Sequence, residues 1–383
     1  MPESGSNDVS RAGLGSEHTR RWAENRLGLD YRAEAAAFPA WPEGITDAHA
    51  HINGPRAALV WREAARAFGV TRVYSQTRLE DAPGVRDALG DTIRFVAIPE
   101  YQAADRVHAF TEGFLERIPV WANTFGARMI KFWCAPRLRE FLRDSGQVEL
   151  ASLDSEWRRR QADLATQHNM MLMAHVADPD TWFQGMYTDE RFFGSKKDQY
   201  TPLQRMLETY TQPWLIAHMG GWPEDLDFLD TLLARYPHVH LDTSATKWMV
   251  RELSRHETGR VRSFFDRWRG RVFFGTDVVT SDAHLAPTPA NDPTLKAEQA
   301  SSPHEAFELY ASRYWAMRTL LERGYTGESP IADTDLAMVE PTRYNAMSAP
   351  ALHGHALSAE TLRWLYKDAA AGVLDAWYDR HAG

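Results

Sequence analysis

The sequence predicts an α/β fold, a (β/α)8 TIM barrel with an N-terminal helical extension and a large insertion after strand eight. Apolar runs of strand length alternate with amphipathic helical stretches, which is the rhythm of βα units and a parallel sheet. Several of those runs end on a polar residue, as expected where the strand ends of a barrel build a shared site. The chain of 383 residues is long enough for one barrel with additions.

Taken in chain order, residues 1–16 read as disordered and 17–38 as a helix that precedes the main fold. Pro39 and Pro42 break it, so 1–44 form an extension and 45–383 the barrel. Strands one to eight are expected at 45–51, 69–76, 93–100, 127–134, 171–177, 213–219, 239–244 and 271–277. Clear helical patterns fill 157–169 and 224–236. Residues 178–206 form a long aromatic loop after strand five, with Trp182, Phe183, Tyr187, Phe192 and Phe193. Residues 279–356 form a longer excursion after strand eight, with a helix at 303–323, and are expected over the barrel mouth.

Composition restricts the function classes. Hydrophobic residues make up 44% and charged residues 25%, as in soluble globular proteins. The single cysteine, Cys134, excludes an intramolecular disulfide and a Cys-rich metal site. A net charge of −9 without a long basic run argues against nucleic acid as partner. No apolar run has membrane length, so a cytoplasmic protein acting on a small-molecule substrate is expected, with no membrane partner.

The central motif is Asp47-Ala48-His49-Ala50-His51 on strand one. Side chains two apart on a strand share a face, and two imidazoles at that spacing can hold one metal ion. His-x-His occurs three times, so the pattern alone is weak. His238 and His240 open strand seven, and His353 and His355 fall in a loop; only the first pair closes a strand. His175 and His218 end the apolar runs of strands five and six. A lone His there is more often structural, but two such residues beside the first motif favour a site. Asp277 closes FFGTD on strand eight and can ligate a metal, accept a proton, or cap a helix.

This order of residues resembles the amidohydrolase superfamily, and the wording ITDAHAHI, IAHMGGWPEDLDFLDTLLARYPHVHLDTSA and FFGTD is similar to its amidohydrolase-related branch. That branch includes aminocarboxymuconate-semialdehyde decarboxylase, related decarboxylases and several lactonases. The likeness spans about 45–278 and resumes at 357–374, where a closing helix pair is expected. The resemblance implies that His49, His51, His175 and Asp277 ligate one divalent ion, most simply Zn, with Mn, Fe or Co as alternatives. His218 would orient a water or stabilise developing negative charge. Asp277 would take that water's proton and pass it to the leaving group. A bound ion lowers the water's pKa towards about 7. Lys131, near the end of strand four, either binds substrate or, carboxylated, bridges a second ion; the first reading is favoured.

Substrate-binding candidates are Lys131, Arg137, Lys247, Trp248 and Asn53, with Arg139 and Arg56 behind them. Arg suits a substrate carboxylate, although solvated surface arginines are commoner. Asp47 is expected one layer below the metal, and Cys134 packs. The leading function is a metal-dependent hydrolase of a lactone, amide or related acyl substrate. The alternative is a metal-dependent lyase, a non-oxidative decarboxylase or hydratase of a small carboxylic acid. A non-catalytic binding barrel would leave gaps in the constellation, and none is seen. A homodimer is the assembly the resemblance implies.

Overall fold

The structure is a computed structural model that describes residues 22–287 and 299–382. The disorder expected over 1–16 lies outside them. Among the described residues eleven strands form: β1 (Ile45–His51), β2 (Val70–Ser75), β3 (Ile93–Phe95), β4 (Met129–Trp133), β5 (Met171–His175), β6 (Trp214–Ile216), β7 (Val239–Asp242), β8 (Val272–Phe273), β9 (Val278–Val279), β10 (Thr326–Glu328) and β11 (Ala351–His353). The first nine make two parallel sheets, ordered β3-β2-β1-β9 and β4-β5-β6-β7-β8. Backbone hydrogen bonds cross both gaps. Lys131 N donates to Ala97 O at 2.9 Å beyond β3, and Ala48 N to Phe274 O at 2.8 Å beside β8. β10 and β11 form a separate antiparallel pair.

The strands of the two parallel sheets are largely buried on both faces, which parallel sheets covered by helices require. Alternate residues divide between two cores. Met129, Met171, Met173, Leu215, Ala217 and Phe273 turn to one side and pack with Ala369, Ala370, Leu374 and Tyr378 of the C-terminal segment. Leu172, Ala174, Ile216 and Leu241 turn to the other side and pack with the helices. Tyr378 OH donates to Phe95 O at 2.7 Å, and Trp377 Nε1 to Asn169 O, two residues before β5. The C-terminal segment therefore plugs the end of the strands opposite their C-termini. It is one helical run from Ala359 to Arg380 with π-helical turns at Trp364–Asp368 and Ala371–Asp375, not the expected helix pair.

Several strands are shorter than expected because the chain leaves extended geometry at the site residues. His218 and Asp277 both have φ +59°, a left-handed conformation costly for non-glycine residues and concentrated at functional positions. β6 accordingly stops at Ile216, and strand eight splits into β8, paired with β7, and β9, paired with β1.

Among the described residues the N-terminal helix covers Tyr31–Ala36, starting where Asp30 accepts from Arg32 N and Ala33 N; the expected stretch 17–21 lies outside them. Before it, Gly28 is left-handed and Asn25 ties off the chain through Leu29 and Glu308.

Of residues 279–356, the helix Pro303–Glu322 does not lie over the strand ends. It is buried from Ala306 to Leu321 and packs along the helix Pro55–Ala67, where Trp61 Nε1 donates to Tyr314 OH at 2.9 Å. Among the described residues, 331–339 reach the aromatic loop: Trp182 donates to Asp335 Oδ2 at 2.9 Å, as does Trp248 after β7. The aromatic loop itself contains the short helices Asp180–Gly185 and Glu190–Phe193 and the helix Tyr200–Thr209.

Candidate metal centre

The C-terminal ends of β1 and β7, the turn after β6 and the link between β8 and β9 bring the chemistry together. At the end of β1, His49 and His51 turn to one face, while a register irregularity between Asp47 and Ala50 sets Asp47 apart, against Thr276 and Tyr314. His51 Nε2 lies 3.1 Å from Asp277 Oδ1 and His49 Nε2 lies 3.4 Å from it. Donor atoms of these three residues lie within 4.8 Å of one another. His49 Nε2 is buried and has no hydrogen-bond partner, which leaves a polar atom uncompensated unless something else binds it. His51 and Asp277 side chains are 25% and 24% exposed, so this cluster opens to solvent on one side.

Behind His49 lies a support built by β7. Its Nδ1 is 2.9 Å from Asp242 Oδ2 and 2.8 Å from Ser244 Oγ. Asp242 Oδ1 also accepts from His218 N at 2.9 Å, from Ser244 N at 3.0 Å and from the Ser244 hydroxyl. Burial would raise the Asp242 carboxyl, but His49, His218 and these hydrogen bonds hold it well below the usual range. Ser244 Oγ lies 2.7 Å from His218 Nδ1, and the His49 and His218 rings stack with centroids 4.9 Å apart. Asp242, His49 and His218 form a second group of donors within 4.8 Å.

Charge follows burial. His49 is pushed down to about 4 by burial and then by Lys131, against the pull of Asp242. His218 is lowered well below its usual value by burial and by His175. Both rings are therefore neutral, the form that binds metal. Burial alone would raise Asp277, but His51, His49 and His218 outweigh it and keep the carboxylate ionised. Burial brings Lys131 down to about 8, opposed by Asp242 and Asp277.

His175 does not join the donor cluster. Its Nε2 lies 2.8 Å from Asp178 Oδ1, while Tyr187 OH donates to Asp178 Oδ2. Its ring instead meets His218 edge-on at 4.4 Å. Asp47 lies beneath the cluster, accepting from His49 N, Thr276 N, Thr276 Oγ1 and Tyr314 OH; burial raises it to about 7.

The softer candidates divide. Trp248 stands edge-on to His218 at 5.5 Å and to His175 at 6.1 Å. Lys131 is buried, and its side-chain amine makes no hydrogen bond or ion pair among the described residues. Arg137 pairs with Glu140 and lies 5.9 Å over Trp182, and Arg139 is partly buried against Asp198. Lys247 reaches Glu24 at 3.6 Å.

Asn53 is structural, accepting from Arg78 N and donating to His51 O, and Arg56 pairs with Asp282. Cys134 is buried. His240 and His355 bond the carbonyls of Trp214 and Leu253. Asp242, Ser244 and Asp178 were not singled out from sequence. The i, i+2 pair in VHLDTS, ending strand seven, was the available signal for the first two.

No family model matches the chain and no curated protein matches it. Among solved structures it is similar to an amidohydrolase from Burkholderia multivorans bound to hepes, with 14% identity over 86% of this chain and 99% of that one and a TM-score of 0.41. It is also similar to a 2,6-dihydroxybenzoate decarboxylase in complex with 2,6-dihydroxybenzoate, with 13% identity over 72% and 99% and a TM-score of 0.38. A 2,6-dihydroxybenzoate decarboxylase from Rhizobium gives 13% identity over the same shares and a TM-score of 0.31.

Proposed function

We propose that this chain is a metal-dependent hydrolase acting on a small acyl substrate, a lactone, an amide or a related ester. The observation that supports it is the buried, unpartnered His49 Nε2 beside His51 Nε2 and the Asp277 carboxylate. An N2O donor set of this kind suits Zn, with Mn, Fe and Co as alternatives. His49, His51 and Asp277 would hold the ion, and His175 would join only by leaving Asp178. On this reading the two sheets close into one (β/α)8 barrel over residues 45–383, with 1–44 as an extension, and the protein works as a homodimer.

A bound ion supplies Lewis-acid polarisation of a substrate or water oxygen. The remaining work falls to the chain. The Asp277 carboxylate accepts the proton of the attacking water and returns it to the leaving group. His218, held against Ser244, faces the same space. Trp248 forms an apolar wall beside the two histidines and limits water access. Asp242 fixes the His49 ring, as partners behind a ligand do in metal sites generally.

A second reading rests on Lys131. A buried amine with no ion pair is suited to a substrate carboxylate, which favours a metal-dependent decarboxylase or hydratase of a small carboxylic acid. Arg137 and Lys247 would assist at the rim.

Elemental analysis of purified protein, alongside a His49→Ala, His51→Ala double variant, tests the site. About one ion per chain in the wild type and none in the variant is expected; a wild type that takes up no divalent ion refutes the proposal. A panel of lactones and amides, run beside carbon dioxide release from aromatic and unsaturated acids, separates hydrolase from lyase.

A further inference from the structure

Ser244 stands where four polar groups meet, and the number of protons available there is limited. Asp242 accepts at both oxygens: His218 N, Ser244 N and the Ser244 hydroxyl at Oδ1, and the His49 ring at Oδ2. An ionised carboxylate has no proton to give. The serine has one hydroxyl hydrogen, and Asp242 takes it, because an ionised carboxylate has no proton of its own and is a stronger acceptor than a neutral ring nitrogen. Toward His218 Nδ1, 2.7 Å away, Ser244 Oγ can then only accept. His218 Nδ1 must therefore carry the ring hydrogen. The same reasoning applies to His49, whose Nδ1 faces Asp242 and Ser244 together.

We infer that Ser244 is a positioning residue that locks His218 in its Nδ1–H tautomer, so that His218 presents an unprotonated Nε2 to the reacting atoms. This rests on the proposed site, and it decides between two roles left open for His218. A ring with a bare Nε2 accepts a proton or a hydrogen bond, whereas stabilising a developing oxyanion would need a hydrogen there. Orienting a water by taking its hydrogen is then the task of His218. The lock is built into the strand: Asp242 ends β7, and Ser244 follows two residues on, its N–H returning to Asp242. Both positions are fully buried, so no water competes for these bonds.

The test is two-bond 1H–15N correlation of protein labelled with 15N-histidine and stripped of metal by chelation. His218 is assigned by its loss in His218→Gln. In wild type, His218 is expected to show a protonated Nδ1 and an unprotonated Nε2. Ser244→Ala is expected to lose that pattern, giving the Nε2–H form or an averaged signal, and Ser244→Thr to keep it. Wild-type His218 in the Nε2–H form overturns the inference, as does a folded Ser244→Ala with an unchanged pattern. If Ser244→Ala does not fold, the wild-type spectrum alone decides. Metal content measured on the unstripped samples reports separately on the functional proposal, since the tautomer is read without metal.

Discussion

Replacing Asp242 by Asn keeps the shape of the side chain and changes one acceptor into a donor. Asp242 Oδ1 receives three hydrogen bonds, two from backbone N–H groups, so the amide oxygen of Asn must take that position. Its NH2 then faces His49 Nδ1, 2.9 Å away in the wild type. Two N–H groups cannot share that contact, and the His49 ring relieves it by moving its hydrogen to Nε2, the atom proposed to bind metal. Loss of such a supporting partner weakens metal binding by roughly 10- to 100-fold, or about 1.4–2.7 kcal/mol. Titration against a chromophoric chelator measures this, with thermal unfolding to confirm that the variant is folded. Asp178→Asn removes the same charge behind His175, outside the donor cluster, and is expected to change affinity less. A folded Asp242→Asn that binds metal within about twofold of wild type would refute the idea that Asp242 prepares His49.

Tyr314→Phe removes a hydroxyl that accepts from Trp61 and donates to the buried Asp47. Leaving the indole N–H unpaired should cost about 1–3 kcal/mol in denaturant unfolding, and a loss under about 0.5 would show that the two groups find other partners. Gly221→Ala places a Cβ 2.3 Å from the Ala177 carbonyl at a φ of +76°. It should destabilise by more than about 2 kcal/mol, while Gly259→Ala, with open space around it, should not; equal melting temperatures for the two variants would contradict the packing. Burial lowers His355 to about 4, against about 6.5 in the unfolded chain. The unfolded state therefore binds a proton first, and this stability is full above about pH 6.5 and lost as pH falls towards 4. Discounted for partial screening, the loss should reach about 1–2 kcal/mol, and His355→Gln should flatten that part of the stability–pH curve.

The sequence by itself determined the alternation of strands and helices and the position of the first metal motif. Both follow from local periodicity: apolar runs bounded by turns mark strands, and a two-residue period puts His49 and His51 on one face. It also marked Asp277 and His218 as strand-end residues, because a polar group closing an apolar run needs an outlet. Strand limits were less legible. The left-handed turns at His218 and Asp277 cut strands six and eight short, and nothing in an isolated run of apolar residues signals a break imposed by neighbouring strands.

Only the tertiary structure decided which partners each ring nitrogen meets. His175 reads like a ligand from its position on strand five, yet a carboxylate three residues on, at Asp178, takes its Nε2. Asp242 and Ser244 read like the tail of an ordinary strand until the fold sets them against His49 and His218, nearly two hundred and about twenty-five residues away in the chain. The helix Pro303–Glu322 shows the same limit. Its sequence is apolar enough for a core, but only packing against Pro55–Ala67 shows that it flanks the strands and does not cover their ends. Hydrogen bonds reach only about 3 Å, so partners distant in sequence are specified by the three-dimensional path of the backbone and not by local pattern.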